Sequence, residues 1–228
     1  MCGRYGLNHP HPVLKDWYRA SIMPELEPRY NIAPTTEILA VLETEDSRIG
    51  SMMRWGLIPH WATGGKRFPV MNNARAETIA EKPTFRESFR QRRCLIPASG
   101  FYEWKREGKT RQPYFISSRD GTPFSFAGIW STWKAVDTRE SIDSCAIITT
   151  ECNALMQAIH DRMPVILSPE DWAAWLDPEP KEDESLLSLL KPFDAEQMQA
   201  WAVSRAVGKV ANQGEGLILP LTQYVFHY

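Results

Sequence analysis

The clearest strand pattern in the chain lies at residues 94–117, which read CLIPASGFYEWKREGKTRQPYFIS. Apolar and aromatic residues are spaced through this stretch in short runs bounded by turn-forming residues, a pattern that is typical of β-strands. It predicts strands at Cys94–Pro97, Gly100–Lys105 and Pro113–Ser117. The polar segment Arg106–Lys109 predicts the turn between the second and third strands.

Working outward, the same reasoning predicts a sheet that extends over most of the chain. Glu37–Leu42 and Ile49–Ile58 predict a hairpin around the polar turn Glu43–Ser47. Further strands are predicted at Phe124–Trp133, Ser144–Thr149 and Met163–Leu167, and near Gln199–Ser204 and Leu217–Leu221.

Helices are predicted to be short and few. The segments are Pro12–Ala20, Thr84–Arg93, Asn153–Ile159, a helix that starts at Ser168–Asp171, and Lys181–Leu190, with a loop at Gly64–Lys66. Because strands outnumber helices and their connections are short, the sequence predicts an α+β fold with a twisted, mainly antiparallel, barrel-like sheet and peripheral helices.

The composition limits the class of protein. A chain of 228 residues, 43% hydrophobic, is expected to form one domain, residues 1–228, around a sizeable core. The aromatic content of 11% and the 17 prolines disfavour a helical bundle. The net charge of −2 gives no support for a protein that coats long nucleic acids, although it leaves room for a local basic cleft.

The four cysteines, Cys2, Cys94, Cys145 and Cys152, include no C-x-x-C pair, so no zinc or thioredoxin-like motif is expected. No metal site and no cofactor motif is predicted. The sequence has no apolar signal segment and no run near the ~18 apolar residues that span a bilayer. We therefore expect reduced thiols in the cytoplasm, with association to the nucleoid if the source is bacterial.

The amino terminus carries two groups that could react with an aldehyde. If Met1 is removed, Cys2 presents a free α-amine and a thiol on adjacent carbons. An α-amine has a pKa near ~7.7–8, so part of it is uncharged at neutral pH and can condense with an aldehyde. The thiol can then close a five-membered thiazolidine on the same carbon. The alternative is that a cysteine at this position has no chemical role.

Three polar residues are candidates to assist, and each has a structural alternative. Asn73 could hydrogen-bond a reacting amine or carbonyl, or be a turn asparagine. Glu103 lies among aromatic residues, where burial would raise its pKa toward neutrality, unless its side chain points to solvent. His160 could shuttle protons near pH 7, or be a satisfied histidine at the end of a helix.

Taken together, the motifs resemble the SOS response-associated peptidase (SRAP) family, in family order from residue 2 to about 221. The matching stretches are Met1–Arg4, Arg29–Pro34, Arg54–Pro59, Asn73–Thr78, Arg93–Ala98, Gly100–Trp104, Ile159–Pro164, Val203–Val207 and Asn212–Gly214. The resemblance implies a compact α+β fold with a DNA cleft. It also implies a protein that removes its own initiator methionine and then crosslinks covalently to abasic sites in single-stranded DNA.

The resemblance also implies roles for individual residues. Cys2 would be the nucleophile, Asn73 would hold its amine, Glu103 would be the general acid/base, and His160 would position the opened sugar. The implied DNA-binding residues are Arg4, Asn31, Pro34, Trp61, Arg75 and Arg162. Close bacterial members carry two adjacent tryptophans where this chain has Trp61 followed by Ala62. A preference for particular DNA junctions therefore does not follow.

The partner that the resemblance implies is single-stranded DNA with abasic sites. We expect a monomer without a cofactor, because a covalent one-to-one trap needs no oligomer. Two other functions remain open at this level. A thiol peptidase would use Cys2 as nucleophile and His160 as base, and would cleave peptides without forming a DNA adduct. A non-covalent reader of modified bases would bind DNA reversibly, in a salt-sensitive way that does not depend on Cys2.

Overall fold

The computed structural model describes residues 2–63, 69–135, 140–179 and 181–221. Within these ranges the chain begins with β1 (Tyr5–Leu7), α1 (His11–Tyr18), β2 (Arg29–Ile32), β3 (Glu37–Glu43), β4 (Arg48–Trp55), β5 (Asn73–Arg75) and α2 (Arg86–Gln91). It continues with β6 (Arg93–Ala98), β7 (Gly100–Glu107), β8 (Thr110–Ser118), β9 (Phe124–Lys134), β10 (Ser141–Glu151), β11 (Arg162–Pro164), α3 (Trp172–Leu176), α4 (Asp183–Leu187) and β12 (Met198–Ala202).

Five strands close into a barrel. Its order is β10-β4-β3-β6-β9, and the circle closes because β9 pairs with β10 along residues 141–147. The pairing of β4 with β10 is parallel and the other pairings around the ring are antiparallel. Closure leaves the five strands without a free edge in this ring, and their inward-facing side chains form the main core.

A second sheet, in the order β12-β8-β7-β1-β2, packs against the barrel. Aromatic rings make the joint: Tyr5 contacts Trp55 with ring centroids 5.3 Å apart, and Phe101 contacts Phe126 at 6.0 Å. Both pairs meet edge to face, an arrangement that aromatic rings prefer over a face-to-face sandwich. This joint fixes β1 and β7, which carry the amino-terminal end of the chain and Glu103.

The other face of the second sheet is covered by the carboxyl-terminal segment. Val203, Val207 and Leu217 form a separate buried cluster there with Tyr102 and Phe115 from β7 and β8. Around Tyr102 and Phe115 the second sheet is therefore buried on both faces. A polar residue such as Glu103 on β7 then has little access to water.

The long strand β10 also pairs outside the barrel. Near its end it contacts β5 in parallel and β11 in antiparallel register. Thr149 of β10 is opposite Arg75 on one side and Pro164 on the other. One strand thus places the segments around Asn73 and Arg162 at the same end of the barrel.

The predicted α+β class with a mainly antiparallel, barrel-like sheet is confirmed, and so are the hairpin of β3 with β4 and the strands of residues 93–151. The strand predicted at Ile49–Ile58 ends at Trp55, because Gly56 has a φ of +134°, outside the range of a strand. The helix predicted at Thr84–Arg93 spans only Arg86–Gln91, since Arg93 already belongs to β6.

Other predictions need correction. The strand predicted near Leu217–Leu221 is wrong: Glu215–Leu217 is a 3-10 turn, and the segment returns to β12 through a single backbone bond, from the Leu221 N–H to the Ala202 carbonyl, among the described residues. Asn153–Ile159 holds a single 3-10 turn rather than an α-helix. The Gly64–Lys66 loop lies outside the described residues. Across the ranges that are described, no helix is both long enough and apolar enough to cross a bilayer.

Candidate active site

Cys2 lies three residues before the start of β1 and its side chain is fully buried. The Tyr102 N–H donates to the Arg4 carbonyl over 2.9 Å, which holds the segment that follows Cys2 alongside β7. Burial raises the pKa of the Cys2 thiol well above its usual range, and the nearby charge of Glu103 raises it further. At neutral pH the sulfur therefore carries its proton and does not act as a ready thiolate.

Asn73, the first residue of β5, contacts the backbone of Cys2. Its side-chain Nδ2 donates to the Cys2 carbonyl over 2.8 Å, and Nδ2 of Asn72 lies 3.4 Å from the same oxygen. The indole N–H of Trp55 in turn donates to the Asn72 carbonyl over 2.9 Å and holds the segment that leads into β5. The Asn73 Oδ1 atom is buried and has no hydrogen-bond partner among the described residues, so an acceptor lies free beside Cys2.

Glu103 is on β7, and only 4% of it is exposed. Burial raises the pKa of its carboxyl to about 7. A carboxyl with such a pKa is present in both protonation states at neutral pH, so it can donate a proton in one step and accept one in the next. The sequence-based expectation of a perturbed acid at this position agrees with this environment.

His160 faces Glu103 from the segment before β11. Its Nε2 lies 3.9 Å from Oε2 of Glu103, and its Nδ1 accepts the Arg162 backbone N–H over 3.0 Å. The acceptor role of Nδ1 places the proton of the neutral ring on Nε2, toward Glu103. The Asp161 carboxylate, 3.0 Å from Nδ1, favours a charged ring, but burial outweighs it and lowers the pKa of His160.

Arg4 and Asn31 form one hydrogen-bonded unit. Arg4 Nη1 donates to Asn31 Oδ1 and to the Val207 carbonyl, both over 2.8 Å, and its guanidinium lies 6.0 Å from the ring centroid of Trp104. Asn31 is buried and donates to the carbonyls of the carboxyl-terminal segment. Asn31 therefore positions Arg4, while its own side chain is not at the surface.

Arg162 already has an acidic partner. Its guanidinium donates to both carboxylate oxygens of Glu77 and, over 2.7 Å, to the Thr149 carbonyl. The Arg162 hydrogen bond also lowers the pKa of Glu77. Arg75, two residues before Glu77, is exposed. The two arginines near Glu77 therefore differ in their contacts. The Arg75 side chain is exposed to solvent, whereas the Arg162 guanidinium is hydrogen-bonded to Glu77 and Thr149.

Two other residues implied by the resemblance lie apart from this cluster. Trp61 is 54% exposed, in the loop after β4. Pro34 is half-buried and precedes Thr35, which has a φ of +75°. A positive φ is costly for a β-branched residue and marks a locally strained turn. The structure therefore does not bring Trp61 or Pro34 into the hydrogen-bonded cluster around Cys2.

A cavity of about 610 Å³ opens at Glu103 and His160. Its lining residues are Glu103, Trp104, Arg106, Arg111, Ile159, His160 and Asp161. In the described part of the chain no group of three or more His, Cys, Asp or Glu side chains is arranged to hold a metal ion. The cavity itself offers a carboxyl that titrates near neutrality, an imidazole and two guanidinium groups, and the charge of Glu103 also acts on the buried thiol of Cys2.

A family model described as SOS response associated peptidase (SRAP) matches residues 1–210. The chain belongs to the SRAP family. It is 42% identical over 223 residues to YoqW of Bacillus subtilis, named an abasic site processing protein, with 96% of this chain and 99% of that protein covered.

The likeness to other SRAP proteins also covers nearly the whole chain. YedK of Escherichia coli, another protein named for abasic site processing, is 34% identical over 228 residues, covering 97% of this chain and 100% of YedK. A crystal structure of a Bacteroides thetaiotaomicron protein superposes with a TM-score of 0.87 at 29% identity, covering 97% of this chain and all of that chain.

In this SRAP site, sequence reasoning missed Asn72, Glu77 and the two cavity arginines, Arg106 and Arg111. Asn72 and Glu77 belong to or adjoin the family motifs, but nothing in a linear pattern says which neighbour faces Cys2 or Arg162. Arg106 was included in a turn segment. Arg106 is paired with Arg111 across the hairpin. Predicted strands that extended to these two residues would have shown that the arginines are adjacent.

Proposed function

We propose that this SRAP protein processes abasic sites in single-stranded DNA by forming a thiazolidine between mature Cys2 and the opened abasic sugar. The observation that carries the proposal is the position of Glu103: a buried carboxyl with a pKa of about 7 that acts electrostatically on the Cys2 thiol and lies 3.9 Å from His160. The abasic-site-processing names of YoqW and YedK support the same substrate.

The first step is attack by the amine. Removal of Met1 gives Cys2 a free α-amine with a pKa near ~7.7–8, part of which is uncharged at neutral pH. The nitrogen adds to the aldehyde carbon of the ring-opened sugar and forms a carbinolamine. The buried Oδ1 of Asn73, which lacks a partner among the described residues, is an acceptor suited to holding an amine on Cys2.

The second step expels water. Glu103 in its protonated form gives a proton to the carbinolamine hydroxyl, which leaves as water, and the carbon–nitrogen double bond of the Schiff base forms. Glu103 is then ionised. The pKa of about 7 makes the protonated form plentiful at neutral pH, which an ordinary glutamate would not provide.

The third step closes the ring. The thiol sulfur adds to the Schiff-base carbon, and its proton passes to the Glu103 carboxylate, which restores the acid. Amine, thiol and aldehyde have become one thiazolidine and one water, with no oxidant or reductant needed. Since burial raises the pKa of the thiol, proton removal accompanies sulfur attack, and the amine is the better first nucleophile.

The raised pKa of Cys2 also bears on the thiol-peptidase alternative. A cysteine peptidase attacks as a thiolate, whose formation is favoured when the pKa of the thiol is lowered by an adjacent cationic imidazole. Here burial raises the pKa of Cys2 and lowers that of His160, so each group is favoured in its neutral form. We therefore argue for amine-led chemistry in the mature protein.

The test is a denaturing gel of the mature protein with abasic single-stranded DNA. We expect an adduct that survives heat and denaturant with the wild type, none with Cys2→Ala, and at most a weaker, less durable one with Cys2→Ser. Cys152→Ala is the matched control, because Cys152 is a half-buried thiol elsewhere in the chain. Intact mass of the purified chain establishes whether Met1 is absent. An adduct that persists in Cys2→Ala overturns the proposal.

A further inference from the structure

We propose that the tip of the β7–β8 hairpin is a phosphate clamp, in which Arg106 and Arg111 together bind one phosphodiester of the DNA strand beside the reacting sugar. The inference rests on the proposed function, because it takes single-stranded DNA as the ligand. It goes further in assigning two DNA-binding residues and a phosphate to the hairpin tip.

The first observation is the register of the hairpin. Arg106 of β7 is directly opposite Arg111 of β8. Both side chains are exposed, and neither has an acidic partner among the ion pairs of the described residues. Like charges directly opposite each other on a strand pair are unfavourable. An anion held between the two guanidinium groups would remove that repulsion.

The second observation is where this pair lies. Arg106 and Arg111 line the same cavity of about 610 Å³ as Glu103 and His160. The chain has a net charge of −2, yet residues 105–111, KREGKTR, contain four basic residues and one acidic residue. The hairpin tip is therefore locally basic, and two of its basic residues, Arg106 and Arg111, lie in the cavity wall with the acids Glu103 and Asp161. Such a local basic cluster attracts a polyanion.

The third observation is the chemistry of the side chains. An arginine presents several N–H groups in a planar fork that fits two phosphate oxygens at once. Two opposed arginines can therefore grip one phosphate from both sides. Arg75 and Arg162 are placed by β5 and β11 on the barrel, whereas this pair belongs to the second sheet. The clamp therefore adds basic residues of the second sheet to the two arginines that β5 and β11 hold beside β10.

The test is the salt dependence of binding to undamaged single-stranded DNA. For each phosphate that the protein no longer neutralises, the slope of log K against log [salt] becomes less negative by ~0.7 for single strands. For the double variant R106Q/R111Q we expect a less negative slope by at least that amount and weaker binding at low salt. R106K/R111K should keep most of the slope. An unchanged slope in R106Q/R111Q overturns the clamp.

The matched control is R119Q. Arg119 is exposed and directly follows β8, at the opposite end of the strand that begins beside Arg111. R119Q removes one positive charge, whereas R106Q/R111Q removes two. R119Q should leave the slope unchanged, and a slope change half as large as that of R106Q/R111Q would reduce the effect to overall charge and overturn the clamp. The unfolding temperature of R106Q/R111Q should not fall, because the substitution removes a repulsion.

A second measurement locates the phosphate and separates this inference from the proposed function. Two oligonucleotides carry the abasic site at the 5′ end or at the 3′ end, so that each has phosphates on one side only. The affinity loss of R106Q/R111Q should appear with one of them and be absent with the other. A loss that is equal with both overturns the assignment to one side. If the wild type forms no adduct, the proposed function fails, while the salt slope still decides the clamp.

Discussion

The side-chain amide of Asn73 donates a hydrogen bond of 2.8 Å to the backbone carbonyl of Cys2. Asn73 is itself fixed by the pairing of β5 with β10, in which it is opposite Ile147 of the barrel. Cys2 is therefore positioned from the barrel, by a residue 71 places further along the chain. An amine on Cys2 would inherit this position without any secondary structure of its own.

We predict that Asn73→Ala slows adduct formation about fivefold, since one hydrogen bond of this kind contributes about 1 kcal/mol and a tenfold change would need about 1.4 kcal/mol. Adduct accumulation on abasic single-stranded DNA over time measures the rate. Asn72→Ala is the control, because its amide is 3.4 Å from the same carbonyl, a weaker contact. Equal slowing by the two variants would contradict a specific role for Asn73.

The barrel was predictable because its strands are long. The strands β3, β4, β6, β9 and β10 have six to eleven residues and clear turn signals between most of them, so pattern alone located them. The strands β1, β2 and β5, of three or four residues, were missed. A strand so short shows too little alternation, and its existence depends on a partner strand far away in the sequence.

Some features of the candidate site could likewise be predicted from the sequence and others could not. Burial of Glu103 was one of two alternatives that could be anticipated from its aromatic neighbours, the other being a side chain that points to solvent. The bonds of Arg162 to Glu77 and of Asn31 to Arg4 could not, since each joins residues 85 or 27 places apart whose approach depends on the sheet. Sequence motifs named the residues and left their partners undetermined.

We predict that the free energy of unfolding of Glu103→Gln, relative to that of the wild type, is higher at alkaline pH than at acid pH. The pKa of Glu103 is raised from 4.5 to about 7, so as pH rises the unfolded chain loses this proton before the folded one does. The proton on Glu103 thus stabilises the folded wild type fully below pH 4.5. This stabilisation, about 3 kcal/mol, is lost as the pH rises to about 7. Glutamine does not titrate and avoids the loss.

Urea unfolding of the two proteins at pH 4.5, 6 and 8 measures this effect. The stability of Glu103→Gln minus that of the wild type should grow between the first and last pH values and level off above about pH 7. A difference that stays constant with pH would mean that Glu103 has an ordinary pKa in the folded protein. The same variant should slow adduct formation, because glutamine cannot transfer the protons.

We predict that Gly100→Ala destabilises the fold by about 1–3 kcal/mol, the usual cost of forcing an extra methyl group into a packed core. A Cβ at Gly100 would lie 2.4 Å from Cζ of Phe115 and 2.5 Å from the carbonyl oxygen of Ile116, so β7 and β8 would have to separate. The midpoint of urea denaturation reports the loss. Gly216→Ala, where a Cβ meets nothing within 4 Å, should leave the midpoint nearly unchanged; equal losses would refute the packing argument.

The ion pair of Glu77 with Arg162 leads to the last prediction. If Arg162 binds a DNA phosphate, the phosphate must compete with the Glu77 carboxylate, which is 49% exposed and hydrogen-bonded to the guanidinium. Glu77→Gln should then raise the affinity for single-stranded DNA several-fold at low salt, and Arg162→Gln should lower it, in fluorescence anisotropy titrations. The gain should shrink as salt screens the charges.

The control for this effect is Glu151→Gln. Glu151 is exposed and is opposite Arg162 in the pairing of β10 with β11, but its side chain forms no hydrogen bond to Arg162 in the part of the chain that the structure describes. Glu151→Gln removes the same charge from nearly the same place without releasing the guanidinium. A larger gain for Glu77→Gln than for Glu151→Gln therefore identifies release of Arg162 as the cause. Equal gains would mean that DNA responds only to the local charge, and that Arg162 remains bound to its neighbours while DNA binds.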